Sequence, residues 1–117
     1  MERARTVLHV CPDKELAGSR HRTLWAIGYE VFWVQNEGPA LFEISLGRCG
    51  ILVLCHLLSE ATRASLADNF YSKCPDPYIV AIVAHEAQSH PPQAHARVID
   101  SPDHTALVAV LRQRLAA

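Results

Sequence analysis

Cysteine and histidine side chains carry most of the chemistry available to this sequence. Cys11 follows the apolar run Val7-Leu8-His9-Val10, and Cys55-His56 follows a second, Ile51-Leu52-Val53-Leu54. Thiols and an imidazole brought together there could bind a soft metal, form a reversible disulfide or simply fill space. A zinc site wants a third and fourth ligand, and His85 is the only further residue well placed to supply one. The four cysteines, Cys11, Cys49, Cys55 and Cys74, show no CxxC spacing, so reduced and mostly buried thiols are expected. Six of the seven histidines, His9, His21, His85, His90, His95 and His104, are scattered, and no HExxH pair occurs. Cys11-Pro12-Asp13-Lys14-Glu15 is the wrong chemistry for cradling a nucleotide phosphate, and no G-x-S-x-G elbow is present. No catalytic set, resident metal or cofactor is therefore expected, and the chain does not read as an enzyme.

Composition narrows the classes further. With half of its 117 residues hydrophobic and a fifth charged, the chain can bury one core without disulfide or metal staples. A formal net charge of -1 provides no field toward nucleic acid or an anionic membrane. No apolar run, Ile51 to Cys55 included, approaches the ~20 residues of a bilayer span. Met1-Glu2-Arg3-Ala4-Arg5 carries no signal-peptide apolar region, so the cytoplasm is the expected compartment. The small basic groups Arg3, Arg5 and Arg20-His21-Arg22 are expected to be solvated charges, and Arg112 and Arg114 suit the end of a final helix.

Five short apolar runs alternate with helix-like segments, the pattern of a parallel sheet covered on both faces. The expected strands are Thr6 to Val10, Glu30 to Gln35, Gly50 to Cys55, Tyr78 to Val83 and Arg97 to Asp100. Helix one starts at the N-cap Asp13, turns Leu16, Leu24 and Ile27 inward, and ends at Gly28. Helix two opens at Asn36-Glu37-Gly38-Pro39, carries Leu41, Ile44 and Phe42 inward, and closes at Gly47. Helix three follows Ser59 and runs through Leu66, Phe70 and Tyr71 to Cys74. The last helix, Asp103 to Leu115, turns Leu107, Val110, Leu111 and Leu115 inward. Between strands four and five, Ala84 to Ala96 has no apolar stripe and contains Pro91-Pro92, which limits any helix to about one turn. Phe32 and Trp33 are expected beneath helices on opposite faces of strand two, and Trp25, near the end of helix one, to be the more exposed aromatic and a candidate for an interface.

The apolar strand running into Cys11-Pro12-Asp13-Lys14-Glu15, the Gly28-Tyr29-Glu30-Val31 tetrapeptide and the late Ser101-Pro102 pair carry a resemblance. Over roughly residues 5 to 116 the chain resembles the receiver domains of response regulators in two-component phosphorelay signalling. The resemblance implies a flavodoxin-like, doubly wound sheet of five parallel strands in the order 2-1-3-4-5, with helix four degenerate. It also implies a single receiver-like domain over residues 1–117, any output domain lying on another chain or having been cut away. In the family, two acidic residues hold magnesium, an aspartate accepts phosphate, and a hydroxyl and a lysine coordinate it. Position by position, the acidic pair falls on Cys11 and Pro12, with Asp13 next. The acceptor falls on Cys55, or His56 if the register slips, the hydroxyl on Val83 and the lysine on Ser101. One carboxylate beside a thiol and a proline is a poor home for a hard cation. The family's Lys-Pro bond is typically cis, so a cis Ser101–Pro102 bond is expected as well.

Two functions follow as expectations. The first is a phosphorylation-independent, pseudo-receiver interaction module with a protein partner or a second copy, and with no nucleic acid or membrane target. The alternative is a small redox or metal sensor using Cys11, Cys55 and His56.

Overall fold

The computed structural model describes residues 2–116. Five parallel strands, β1 (Thr6–Val10), β2 (Glu30–Val34), β3 (Ile51–Leu54), β4 (Tyr78–Val83) and β5 (Ala96–Ile99), form one sheet in the order β2-β1-β3-β4-β5. Four helices connect or follow them: α1 (Lys14–Ala26), α2 (Glu37–Leu46), α3 (Glu60–Lys73) and α4 (Thr105–Ala116). The expected order is observed, with strand ends differing by a residue.

The near-continuous apolar strands arise because both faces are covered. Consecutive residues enter different layers: Leu8, Leu52, Leu54 and Ile79 pack with Ala40 and Ile44 of α2 and Leu66 and Phe70 of α3. Val7, Ile51, Val53, Val80 and Val98 pack with Leu24 of α1 and Leu107 and Leu111 of α4. Each fully buried aliphatic side chain contributes about 1.5–3 kcal/mol of hydrophobic stabilisation. Tyr29 pins the second layer, its hydroxyl donating to the Leu111 carbonyl at 3.0 Å.

Helix ends follow local chemistry. Asp13 Oδ1 accepts from the Glu15 and Leu16 amides, and Ser59 Oγ accepts from Thr62. Gly28 and Gly47 adopt φ of 97° and 70° just past α1 and at the end of α2, where a Cβ would be strained.

Several expectations are corrected. Phe42 is 63% exposed and does not point inward, because Ala40 and Ile44 already fill the α2 face. Arg20, expected in solvent, is buried. Ser101–Pro102 is not cis, since no cis peptide occurs among the described residues. The chain turns there by other means. The His104 amide donates to the Ser101 carbonyl, Asp103 Oδ1 accepts from the Ser101 hydroxyl and the Thr105 amide, and His104 takes a left-handed φ of 57°.

Residues 84–95 form no helix, as the missing apolar stripe leads one to expect. The loop is tied down polar group by polar group. Gln88 receives the Ala84 amide and donates to the His56 carbonyl, while His95 exchanges hydrogen bonds with Ile79. Among the described residues, no helix is long and apolar enough to cross a membrane.

Candidate functional site

The carboxyl ends of β1, β3 and β5 converge on one group of polar side chains, the location where open α/β sheets place ligands. Cys11 and Cys55 continue the ladder one residue beyond their strands, their amides donating to Val34 and Val10 carbonyls. That shared register sets the thiols side by side, Sγ to Sγ 3.3 Å apart, both without exposed surface. The Trp33 indole N–H donates to the Cys11 carbonyl at 2.9 Å and holds the strand end against β2.

Arg20 closes the group from α1. It occupies the inward stripe with Ala17 and Leu24, so its guanidinium is delivered over the strand ends rather than into water. Nη1 lies 3.0 Å from His9 Nε2 and 3.8 Å from Cys11 Sγ. Nη2 lies 3.0 Å from Asp100 Oδ1 and 3.5 Å from His56 Nδ1. His56 Nδ1 is also 3.8 Å from Cys55 Sγ, and its Nε2 is 4.0 Å from Asp100 Oδ2. One cation thus links two imidazoles, a carboxylate and a thiol pair.

The protonation states follow from this geometry. Arginine has no acceptor, so His9 Nε2 must accept and the ring proton resides on Nδ1. Burial, reinforced by the neighbouring guanidinium, pushes the His9 pKa down to about 3, leaving the ring neutral. The Cys11 hydrogen bond and the Arg20 guanidinium pull the Cys55 thiol below its ordinary range, against the effect of burial. Cys11 moves up, because it shares its proton with Cys55 and is itself buried.

The other anticipated positions do not join this group. Asp13 caps α1, its Oδ1 already accepting two amides, and Pro12 is exposed. Ser101 Oγ turns to Asp103, and Val83 is an apolar residue inside the core. His85 is exposed on the 84–95 loop, and no cluster of three potential metal ligands occurs among the described residues.

Three members of the site, Arg20, His9 and Asp100, were not apparent from residue types. Arg20 lies at i+3 from Ala17 and i−4 from Leu24, so its helical phase was the available signal. Asp100 had none, since its role depends on a partner eighty positions away.

Chemically, the site is equipped for thiol chemistry and for holding charge internally. The cavity beside Arg20 and Asp100 measures about 10 Å³, room for at most one water.

At the level of sequence, no family model and no curated protein matches the chain. Solved structures do match. The response regulator TrrA from Thermotoga maritima, in complex with magnesium and beryllofluoride, superposes with a TM-score of 0.82 at 18% identity, over 94% of this chain and 98% of that one. TrrA in complex with the histidine kinase ThkA gives a TM-score of 0.81 at 19% identity, over 95% and 98%. A CheY-like receiver domain from Methylobacillus flagellatus gives 0.80 at 15% identity, over 94% and 98%. A five-stranded parallel sheet of order 2-1-3-4-5, matched over nearly its whole length, gives this chain the receiver fold of two-component response regulators.

Proposed function

We propose that the chain is a single receiver-like domain that acts in signal transduction as a protein-interaction module and is not phosphorylated on an acidic side chain. The observation that carries this reading is the Arg20–Asp100 pair, which joins α1 to the end of β5. The former phosphorylation-pocket positions are Cys11, Pro12, Asp13, Cys55, His56, Val83 and Ser101. Cys55 stands at the acceptor position with its sulfur against Cys11, and a guanidinium already neutralised by Asp100 occupies the space above. Phosphoryl transfer needs positioned cations to neutralise the migrating charge. Here the nearby cation is held by Asp100 and His9, while the Asp13 carboxylate is committed to the α1 cap.

TrrA meets a histidine kinase in the complex cited above, and a protein partner is accordingly proposed for this chain. Trp25, 70% exposed on α1, is the aromatic side chain best placed to be covered. Incubation with magnesium plus acetyl phosphate or beryllofluoride should leave the amide spectrum unchanged. Saturable shifts around Cys11 and Cys55 would overturn the proposal.

A second reading is favoured by the 3.3 Å thiol contact. A hydroperoxide could take two electrons from Cys11 and Cys55, forming one S–S bond and releasing an alcohol and water. Peptide analysis after peroxide treatment distinguishes the two: a Cys11–Cys55 disulfide at low oxidant supports the sensor, and its absence leaves the interaction module.

A further inference from the structure

Arg63 is a second buried guanidinium and, unlike Arg20, it has no counter-ion among the described residues. It occupies the inward stripe of α3 with Leu66, Ala67 and Phe70, and only 3% of its surface reaches solvent. Its Nε and Nη1 are enclosed and find no acceptor. None of the ion pairs among the described residues includes it. A guanidinium stays charged at any physiological pH, so it cannot relieve this burial by losing a proton. A cation with two of its three nitrogens enclosed and unpaired is unfavourable, and a partner in the adjoining space would relieve it.

Beside Arg63 the fold leaves a cavity of about 80 Å³, bordered by Glu60 and Ala64 of α3 and by His90, Pro91 and Pro92 of the 84–95 loop. One water needs roughly 10–15 Å³, so this space admits a group of several atoms. The two prolines offer no N–H, which leaves the guanidinium and the His90 imidazole as side-chain donors. The positive end of the 14-residue helix α3 lies within one turn. Glu60 borders the same cavity yet makes no ion pair with Arg63.

We infer that this cavity binds a small oxyanion, a carboxylate or a phosphate group, which serves as the counter-ion of Arg63 beneath the His90-Pro91-Pro92 loop. Both groups match the planar donor array of a guanidinium. The site is separate from the Arg20–Asp100 network and does not rest on the function proposed for it.

Titration of the 117-residue chain with sodium phosphate and, separately, sodium acetate at constant ionic strength tests this inference. Saturable amide shifts at Ala64 and His90 are expected with at least one anion, together with a higher thermal midpoint, because the site exists only in the folded chain. A response to phosphate alone assigns a phosphate group, and a response to acetate alone assigns a carboxylate. Glu60→Gln should tighten binding severalfold by removing a like charge from the rim. Arg63→Lys should weaken it about tenfold or more, the loss expected for a charge-assisted hydrogen bond. Absence of saturable shifts with both anions overturns the inference, as does unchanged affinity in Arg63→Lys. A lower midpoint in Glu60→Gln with no anion bound would also overturn it, by making Glu60 the internal counter-ion.

Discussion

Arg20 Nη2 and Asp100 Oδ1 lie 3.0 Å apart, joining α1 to the end of β5 across eighty positions of sequence. The arginine side chain is 1% exposed and the aspartate 27%, so water screens only one partner. An ion pair of this kind stabilises less by attraction than by preventing an uncompensated buried charge.

Asp100→Ala should therefore destabilise the chain by about 2–4 kcal/mol, a buried-pair loss discounted for the partial exposure of Asp100. Arg20→Met should be milder, because the carboxylate it frees can turn to water. Glu43→Gln, which weakens the pair with Arg48, a cation 40% exposed and free to turn to water, should cost less. Urea unfolding measures all three, and an Asp100→Ala effect no larger than that of Glu43→Gln would contradict the role given to Arg20.

Stability should decline as pH falls below about 6.5. The folded pKa of His9 is about 3 and its ordinary value 6.5, so between these limits the unfolded chain binds the extra proton. The contribution is fully present above pH 6.5 and is lost progressively as pH falls toward 3. Its size is on the order of several kcal/mol. His95 and His104 are lowered too, mainly by burial, and act in the same direction. Urea midpoints measured from about pH 7.5 to about pH 4 should fall steeply for the native chain and less steeply for His9→Leu.

Thiol labelling should rank the cysteines. Cys74 is half-buried, whereas Cys11, Cys49 and Cys55 are buried. Burial also pushes Cys49 up to about 12. Iodoacetamide under native conditions should modify Cys74 first, and transient opening should then expose Cys55 as a better nucleophile than Cys49. Mass spectrometry of timed samples gives the order. Early labelling of Cys49 would contradict it.

Gly50 should resist substitution. A Cβ there would lie 2.6 Å from the backbone oxygen of Arg3, which cannot move aside as a flexible side chain would. The same oxygen accepts the Gly50 amide at 3.0 Å. Gly50→Ala is expected to cost about 1–3 kcal/mol in thermal or urea unfolding, the usual range for overpacking. Gly38→Ala, with nothing near its Cβ, is the control.

Local pattern was enough to read the layout of this protein. Strand alternation, the Asp13 and Ser59 caps, the glycines after α1 and α2, and the absent stripe in residues 84–95 are interactions within a few residues of one another. Short-range signals of this kind survive in a linear string. The position of Cys11 and Cys55 at neighbouring strand ends was legible for the same reason, once the strand order was anticipated.

Arg20 and Arg63 were not legible as interior residues, and the three-dimensional arrangement alone reveals them. A charged residue in a polar stretch of helix reads as solvated, since burying it without a partner is unfavourable. Whether a partner exists depends on chain that arrives from far away. Asp100 comes to Arg20 from the end of β5, while Arg63 lies beside His90-Pro91-Pro92 with no ion-pair partner among the described residues. The His104 ring was hidden for the same reason: at its left-handed position it meets Ser19 of α1, far away in sequence, at 2.8 Å.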